Sequence, residues 1–256
     1  MKNTNDSLMK TTCRLPYPLG VWHKAAMNSF DLRDYKAAAS PYPLKDGRIG
    51  IIDIGSNSIR LVIYDEQKRA PVPIYNEKVM CALGKGLATT GLLNPEGVQL
   101  AKQAIRRFLA MGANMQIGSL YIMATAAIRD AKDGDAFAQY LESTYDMDID
   151  IISGQTEAKL GAHGVCASVY KPKGITGDLG GGSLELVWVD EGTIGGHASL
   201  LLGSLRMVDE TKGDRDKLRK LIDKRFAELN WLTNHKTPNF YAIGGSFRAL
   251  AKMHMA

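Results

Sequence analysis

The chain has 256 residues, of which 45% are hydrophobic and 23% are charged, and this globular composition excludes fibrous and low-complexity proteins. No run approaches the roughly 18 apolar residues that a membrane span requires. The first residues also lack the apolar core of a secretory signal. The three cysteines are far apart and form no CxxC pair, so reduced thiols are expected. The expected location is therefore the cytoplasm, with no membrane partner.

The formal charge of +5 is concentrated near the N-terminus, where residues 1–48 hold eight Lys and Arg against four Asp. The remaining charges nearly cancel, and no nucleic-acid partner is predicted. Residues 1–47 also contain four of the nine prolines and no periodic apolar pattern. This segment is predicted to be a loosely ordered basic arm, with tethering to a polyanion as the alternative role.

Residues 49–64 predict a strand, a glycine-containing turn and a second strand, because β-branched residues flank Gly55 and Asn57. From Pro95 onward, apolar side chains recur at helical spacing and predict an amphipathic helix. Helices and strands alternate along the chain, so the predicted fold class is α/β. The other predicted elements are strands at 73–81, 119–124 and 148–152, and helices within 135–145 and from 156 to about 170.

The chain contains an internal repeat. Residues 178–190 align without a gap on residues 53–65, at an offset of 125. Chance similarity rarely keeps both order and spacing, so the repeat indicates a duplication. Two further blocks match in the same order at an offset of 119, namely residues 202–203 on 83–84 and residues 244–248 on 125–129.

The duplication predicts two halves of one topology, each beginning with an Asp-bearing hairpin. The predicted boundaries place domain I at 48–173 and domain II at 174–256. The first half continues for about forty residues after Arg129, whereas eight residues follow Arg248. The second half is therefore expected to be C-terminally truncated and to carry an exposed core face.

Both hairpin turns are rich in small residues and follow an aspartate, a combination that suits phosphate. Glycine lets backbone N–H groups approach anionic oxygens closely, and serine adds a hydroxyl donor. One glycine turn in a hairpin is usually only a turn, but the repeated pair favours phosphate binding. The candidate phosphate ligands are Gly55, Ser56, Asn57 and Ser58 in the first loop, and Gly180, Gly181, Gly182 and Ser183 in the second.

The aspartates before the two loops would repel phosphate in a confined site. A divalent cation such as Mg²⁺ removes that conflict, because it accepts carboxylate, water and phosphate oxygens together. Asp53 and Asp178 are therefore the candidate metal ligands, with capping of the turn as the alternative. Glu185 is a further candidate carboxylate for metal or metal-bound water, and an exposed position on the strand is its alternative.

Two charged residues outside the loops complete the candidate site. Glu157 occupies the first turn of a predicted helix, where the helix dipole favours a carboxylate. It could orient or deprotonate water as a general base, and ordinary helix N-terminal charge is the alternative. Arg129 follows the strand at 119–124 and could bind phosphate bidentately, with a surface ion pair as the alternative.

These motifs together resemble the exopolyphosphatase and guanosine pentaphosphate phosphohydrolase family, in the superfamily of acetate kinase, sugar kinases, heat-shock chaperones and actin. The resemblance extends from about residue 49 to the end of the chain. It implies duplicated ribonuclease H-like (actin-like ATPase) domains, with mixed sheets flanked by helices and the second domain incomplete. The segments that carry it are residues 53–61, 124–129, 152–154 with 157–158, 177–185 and 242–245.

The resemblance also implies a cleft between the halves, where Mg²⁺ and a phosphoanhydride chain end are bound and water attacks the terminal phosphorus. Glu157 would be the general base, and Asp178 and Glu185 the ligands of metal and water. Arg129 would contact phosphate, and Gly244 and Gly245 join the phosphate-binding set.

Inorganic polyphosphate and guanosine pentaphosphate are both candidate substrates. The family often dimerises, so a homodimer is a candidate assembly. Two other functions stay open on the same fold. One is an ATP-dependent phosphotransferase, and the other is a noncatalytic nucleotide- or polyphosphate-binding scaffold.

Overall fold

The structure, a computed structural model, describes residues 47–67, 71–233 and 239–255. The predicted basic arm lies outside these ranges except for Gly47. In this described part of the chain, no helix is both long enough and apolar enough to cross a membrane.

The elements follow the predicted alternation of strands and helices. The first half contains β1 (Ile49–Ile54), β2 (Ser58–Tyr64), β3 (Pro73–Met80), α1 (Leu87–Thr90), α2 (Pro95–Asn114), β4 (Ser119–Ala124), α3 (Ala126–Asp130), α4 (Gly134–Tyr145), β5 (Asp150–Ile151) and α5 (Gly154–Ser168). The second half contains β6 (Lys173–Leu179), β7 (Leu184–Asp190), β8 (Thr193–Leu200), α6 (Ser204–Thr211), α7 (Arg215–Phe226), α8 (Asn230–Thr233), β9 (Phe240–Ile243) and α9 (Gly244–Met255).

Two predicted elements, β5 and α5, differ from the structure by two residues at one end or more. Strand β5 is only two residues long, shorter than the predicted 148–152. Helix α5 begins two residues earlier than predicted, because Ser153 caps it. The Ser153 hydroxyl accepts a hydrogen bond from the N–H of Thr156 at 3.1 Å, which satisfies a donor at the helix start.

The two sheets share one strand order. The first sheet runs β3-β2-β1-β4-β5 and the second runs β8-β7-β6-β9. Each hairpin is antiparallel, and β4 and β9 join β1 and β6 in parallel. The predicted duplicated α/β fold with mixed sheets is therefore confirmed. Within the described residues, the second half has no counterpart of α4, β5 or α5.

The first sheet places its apolar side chains against α2. Ile52 and Ile54 are buried in a core that also contains Ile105 and Phe108 of that helix. Side chains alternate between the two faces of a strand, so Asp53 lies on the opposite, solvent-accessible face of β1. One face of β1 is thus buried in the core, while Asp53 on the other face stays accessible to solvent.

The second sheet is covered on both faces. On one face, Leu184 and Leu186 pack against residues of α7 and α8. On the other face, Val187 and Val189 pack against Ala158 and Ala162 of α5. The predicted domain boundary between 173 and 174 stays a prediction, but α5, on its N-terminal side, packs on the second sheet.

Helix α9 carries the exposed apolar surface that was expected on the second half. Among its described side chains none is buried, and Leu250, Met253 and Met255 are 62–78% exposed. Next to it, an apolar cavity of about 360 Å³ is lined by Ile175, Leu184, Leu186, Phe226, Leu232, Phe240 and Phe247.

Candidate active site

The two predicted phosphate loops have the same backbone turn. The N–H of Gly55 donates to the Ser58 carbonyl at 3.0 Å, and the N–H of Gly180 donates to the Ser183 carbonyl at 3.0 Å. These two pairs are equivalent at the offset of 125 that the sequence predicts. The duplication therefore extends to the hydrogen bonds of the loops.

The second loop points its carbonyl groups towards α6. The carbonyls of Gly180 and Gly181 accept hydrogen bonds from the N–H groups of Ser204 and Leu205, both at 2.9 Å. The N–H groups of Gly181 and Gly182 have no partner among the residues that the structure describes. Successive N–H groups in a turn can form an anion-binding concavity, so the loop can accept the oxygens of an anion such as phosphate.

The two loops lie side by side, although they belong to different halves. A Cβ atom at Gly181 would lie 3.1 Å from the Ser56 Cβ atom. At Gly182 it would lie 2.7 Å from the Ser56 Oγ atom and 2.8 Å from the Ala126 Cβ atom. Only glycine permits this approach, and the approach places both loops at one cleft.

Glu185 lies directly opposite Asp178 in the antiparallel β6–β7 pair. Residues opposite each other in such a pair have side chains on the same face of the sheet. The carboxylates of Asp178 and Glu185 are therefore neighbours, although the turn separates them in the sequence. The alternative of an exposed position for Glu185 is wrong, because the residue is 3% exposed. Its Oε1 atom accepts a hydrogen bond from the Ser199 hydroxyl at 2.8 Å.

The candidate metal ligands have raised pKa values. Burial raises the pKa of Glu185 and of Asp178, and the Asp178 charge raises that of Glu185 further. Desolvation by the surrounding protein and the charge of Asp178 raise the pKa of Asp53 to about 6, although part of this residue is exposed to solvent. A cation at this position would reverse the repulsion and favour the ionised carboxylates.

The described residues contain no group of three or more His, Cys, Asp and Glu side chains arranged to hold a metal ion by themselves. Mg²⁺ does not need such a cage, because it usually binds one or two carboxylates together with waters and substrate phosphates. Asp178 and Glu185 are adjacent on one face, next to a loop with N–H groups that have no partner in the described part of the chain. They fit a site that the substrate completes.

Glu157 lies in the first turn of α5, as predicted, and contacts Arg129. The Glu157 Oε2 atom is 3.4 Å from the Arg129 Nη1 atom, which also donates to the Ile152 carbonyl at 2.8 Å. Burial and the charge of Glu185 raise the pKa of Glu157 to about 8, although Arg129 acts in the opposite direction. The predicted stabilisation by the helix dipole is therefore outweighed by desolvation and by a second carboxylate.

Arg129 has a different environment from that of an ordinary surface ion pair. Its side chain is 23% exposed and contacts two carboxylates, Glu157 and Asp130, each at 3.4 Å. It follows β4 directly, in the short helix α3. Its position beside Glu157 makes it available to an anion in the same cleft.

Gly244 and Gly245 lie beside the carboxylates. Gly244 has a φ of +92°, and a Cβ atom there would lie 2.5 Å from the Asp178 Oδ1 atom. A Cβ atom at Gly245 would lie 3.5 Å from the Lys78 Nζ atom. Glycine at 244 is thus required both by the backbone and by the nearby aspartate.

Sequence reasoning missed three cations of the cleft. Arg60 and Lys78 both lower the pKa of Asp53, and Arg248 lowers that of Asp178. The offset of 119 could have identified Arg248, since it aligns with Arg129. Lys78 lies opposite Arg60 in the β2–β3 pair, a register that the sequence does not reveal.

The cleft therefore brings together free backbone donors, a group of carboxylates, and cations from both halves. Such a set can bind a phosphoryl group, hold a divalent cation, and place a carboxylate near a water molecule.

Known proteins share this architecture. The chain is 29% identical over 146 residues to a Haemophilus influenzae protein assigned as an exopolyphosphatase, a match that covers 57% of this chain and 45% of that protein. The exopolyphosphatase structure from Cytophaga hutchinsonii superimposes with a TM-score of 0.75 at 25% identity, covering 81% of this chain and 70% of that one. A PPX-GPPA enzyme structure from Aquifex aeolicus shares the fold at a TM-score of 0.66 and 22% identity, covering 81% and 71% of the two chains.

The chain thus matches less than half of the length of the Haemophilus influenzae protein. The model of the Ppx/GppA phosphatase family matches residues 62–256, which is more than half of the chain. The match includes the second phosphate-loop hairpin, whereas β1, the first loop and most of β2 precede it. The chain belongs to the Ppx/GppA phosphatase family.

Proposed function

We propose that the cleft hydrolyses a terminal phosphoanhydride, releasing orthophosphate from inorganic polyphosphate or guanosine pentaphosphate with the help of Mg²⁺. One observation carries this proposal. Glu157, a carboxyl group with a pKa raised to about 8, lies in the same cleft as Arg129 and Glu185, near the second loop, whose Gly181 and Gly182 N–H groups have no partner among the described residues. The ionised carboxylate, which a divalent cation in the cleft would favour, can accept a proton from attacking water.

Each residue has a defined role in this proposal. The N–H groups of Gly181 and Gly182 bind the terminal phosphate, and the Arg129 guanidinium balances its charge. Asp178 and Glu185 would hold Mg²⁺, with Asp53 close to them. The ion would supply neutralisation of the phosphate charge when bound. Glu157 orients the water and accepts its proton at a carboxylate oxygen.

The substrates are inferred from chemistry and from relatives. Both candidates present a terminal phosphoanhydride, and the matched relatives from Haemophilus influenzae and Cytophaga hutchinsonii are described as exopolyphosphatases. Loops that bind only the terminal phosphate do not distinguish the two. A homodimer is part of the proposal on the family resemblance alone, and a cytoplasmic location stays the expectation drawn from the sequence.

The test is release of phosphate by the purified chain, from polyphosphate and from guanosine pentaphosphate, with Mg²⁺ or with a chelator. We expect release from at least one substrate with Mg²⁺ and none with the chelator. A parallel reaction contains ATP and a small acceptor. Transfer to the acceptor without hydrolysis would indicate a phosphotransferase, and substrate binding without turnover would indicate a scaffold; either result contradicts the proposal.

A further inference from the structure

Arg206, in the first turn of α6, connects the two halves of the molecule. Its Nε atom donates to the carbonyl of Gly182, in the second phosphate loop, at 3.0 Å. Its Nη2 atom bonds the Asp130 Oδ2 atom, at the end of α3 in the first half, at 2.5 Å. The side chain is only 14% exposed, so water competes little for either contact.

The connection continues from Asp130 to the candidate base. The other oxygen of Asp130, Oδ1, lies 3.4 Å from the Arg129 Nε atom. Arg129 in turn contacts the Glu157 Oε2 atom at 3.4 Å and is anchored to the Ile152 carbonyl at 2.8 Å. A continuous series of charged contacts therefore joins the phosphate loop to Glu157.

We propose that Arg206 is a positioning residue, which fixes the distance between the phosphate loop and the Arg129–Glu157 pair across the cleft. The inference rests on the proposed function. Arg206 acts from behind the loop, because it bonds the Gly182 carbonyl while the Gly182 N–H stays free among the described residues. Its side chain bonds Gly182 and Asp130 and does not contact Glu157 directly.

The geometry requires arginine at this position. One guanidinium presents Nε and Nη2 in a rigid plane, so the Gly182 carbonyl and the Asp130 carboxylate are held at a set separation. A lysine ammonium is a single point charge on a flexible chain, and it cannot reproduce both directions. The Arg206→Lys substitution therefore keeps the charge and removes the fixed separation.

The first experiment compares Arg206→Lys with wild type, using Arg219→Lys on the exposed face of α7 as the matched control. We expect kcat for phosphate release to fall about tenfold to a hundredfold, since a misplacement of about 1 Å has costs of that order. KM should change less than about threefold, because the loop donors remain. A kcat within twofold of wild type overturns the proposal, as does an equal loss in the control.

The second experiment is a double-mutant cycle with Asp130→Asn, which breaks the same series of contacts one residue further on. If Arg206 acts through Asp130, the double variant loses no more kcat than the more severe single variant. Independent, multiplying losses overturn the proposal. Should Arg206→Lys fail to fold, Asp130→Asn alone tests the same connection without changing α6.

A third measurement separates this proposal from the proposed function. Wild type that releases no phosphate from either substrate contradicts the proposed function, but amide hydrogen exchange still tests the connection. We expect Arg206→Lys to raise exchange at the Gly180 and Ser204 amides about tenfold, with β4 unchanged. Exchange equal to that of wild type at both amides overturns the positioning role. Active wild type with an unaffected Arg206→Lys variant overturns this inference alone.

Discussion

The two halves share one topology but differ in the charges that they bring to the cleft. In the first hairpin, Asp53 lies opposite Arg60, so a carboxylate is paired with a cation. In the second hairpin, the equivalent pair is Asp178 and Glu185, two carboxylates. Duplication has preserved the backbone, whereas the second hairpin alone concentrates the negative charge that a divalent cation requires.

The halves also differ in their helices. Helix α5 of the first half carries Glu157, and the described part of the second half has no equivalent helix. The cleft is therefore asymmetric, with the candidate base on one side and the paired carboxylates on the other. Each of the following predictions tests a part of that asymmetry.

The largest expected effect comes from Glu157→Gln. Because the amide cannot accept the proton from water, we expect phosphate release to fall by about 10²–10⁴-fold while substrate binding remains. The matched control is Glu96→Gln, at the first turn of α2 and exposed. Steady-state rates and equilibrium binding measure the two effects. An unchanged rate would show that Glu157, and therefore the helix that only the first half has within the described residues, does not contribute to the reaction.

A second comparison uses Gly84 and Gly203, which occupy equivalent positions in the two halves at the offset of 119. A Cβ atom at Gly203 would lie 2.3 Å from the backbone of Gly181, whereas one at Gly84 would lie 3.1 Å from the Ser56 Cβ atom. We expect Gly203→Ala to lower the free energy of unfolding by about 3 kcal/mol and Gly84→Ala by about 1 kcal/mol. Urea unfolding measures both, and equal losses would contradict the tighter packing behind the second loop.

Protonation of Glu157 gives a third, smaller effect, on stability. The folded-state pKa of about 8 is raised from about 4.5, so Glu157 lowers the free energy of unfolding as pH rises from 4.5 to 8. Glu157→Gln removes this penalty, and we expect it to stabilise the chain at pH 8 by on the order of 2 kcal/mol, but not at pH 4. Urea unfolding without divalent cations measures this. Parallel pH profiles for wild type and variant would contradict the raised pKa.

The smallest effect concerns the metal. We expect Glu185→Gln to raise the Mg²⁺ concentration for half-maximal activity about tenfold, because one of two paired carboxylates is lost. Arg60→Gln, at the equivalent position of the first hairpin, should change it less than about twofold. Mg²⁺ titrations of the initial rate measure both variants. Equal shifts would show that the two hairpins contribute alike to the ion.

Most of the fold could be predicted from the sequence, because its signals are local or repeated. The alternation of β-branched residues around Gly55 predicts the first hairpin, and the offset of 125 transfers it to the second. The packing of α5 on the second sheet could not be predicted. Its buried face consists of small residues such as Ala158 and Ala162, which do not specify a partner.

The site was predictable where a residue lies in a motif or a helix turn. Asp53, Asp178 and Glu157 fall in this group, and the structure brings them into one cleft. Arg206 gave no signal, because its role depends on where α6 meets α3. Lys78 was missed for a similar reason, since strand register, not sequence spacing, brings it opposite Arg60.

Helix α5 belongs to the first half of the sequence but packs on the second sheet, and this arrangement has a consequence for biosynthesis. The helix precedes β6, β7 and β8 in the chain, so it leaves the ribosome before the strands on which it packs. Until Val187 and Val189 are in place, Ala158 and Ala162 have no surface to pack on, so the helix that carries Glu157 lacks its packing partner. In a nascent first half, α5 therefore has an uncovered apolar face, and its packing is completed only as the second sheet forms.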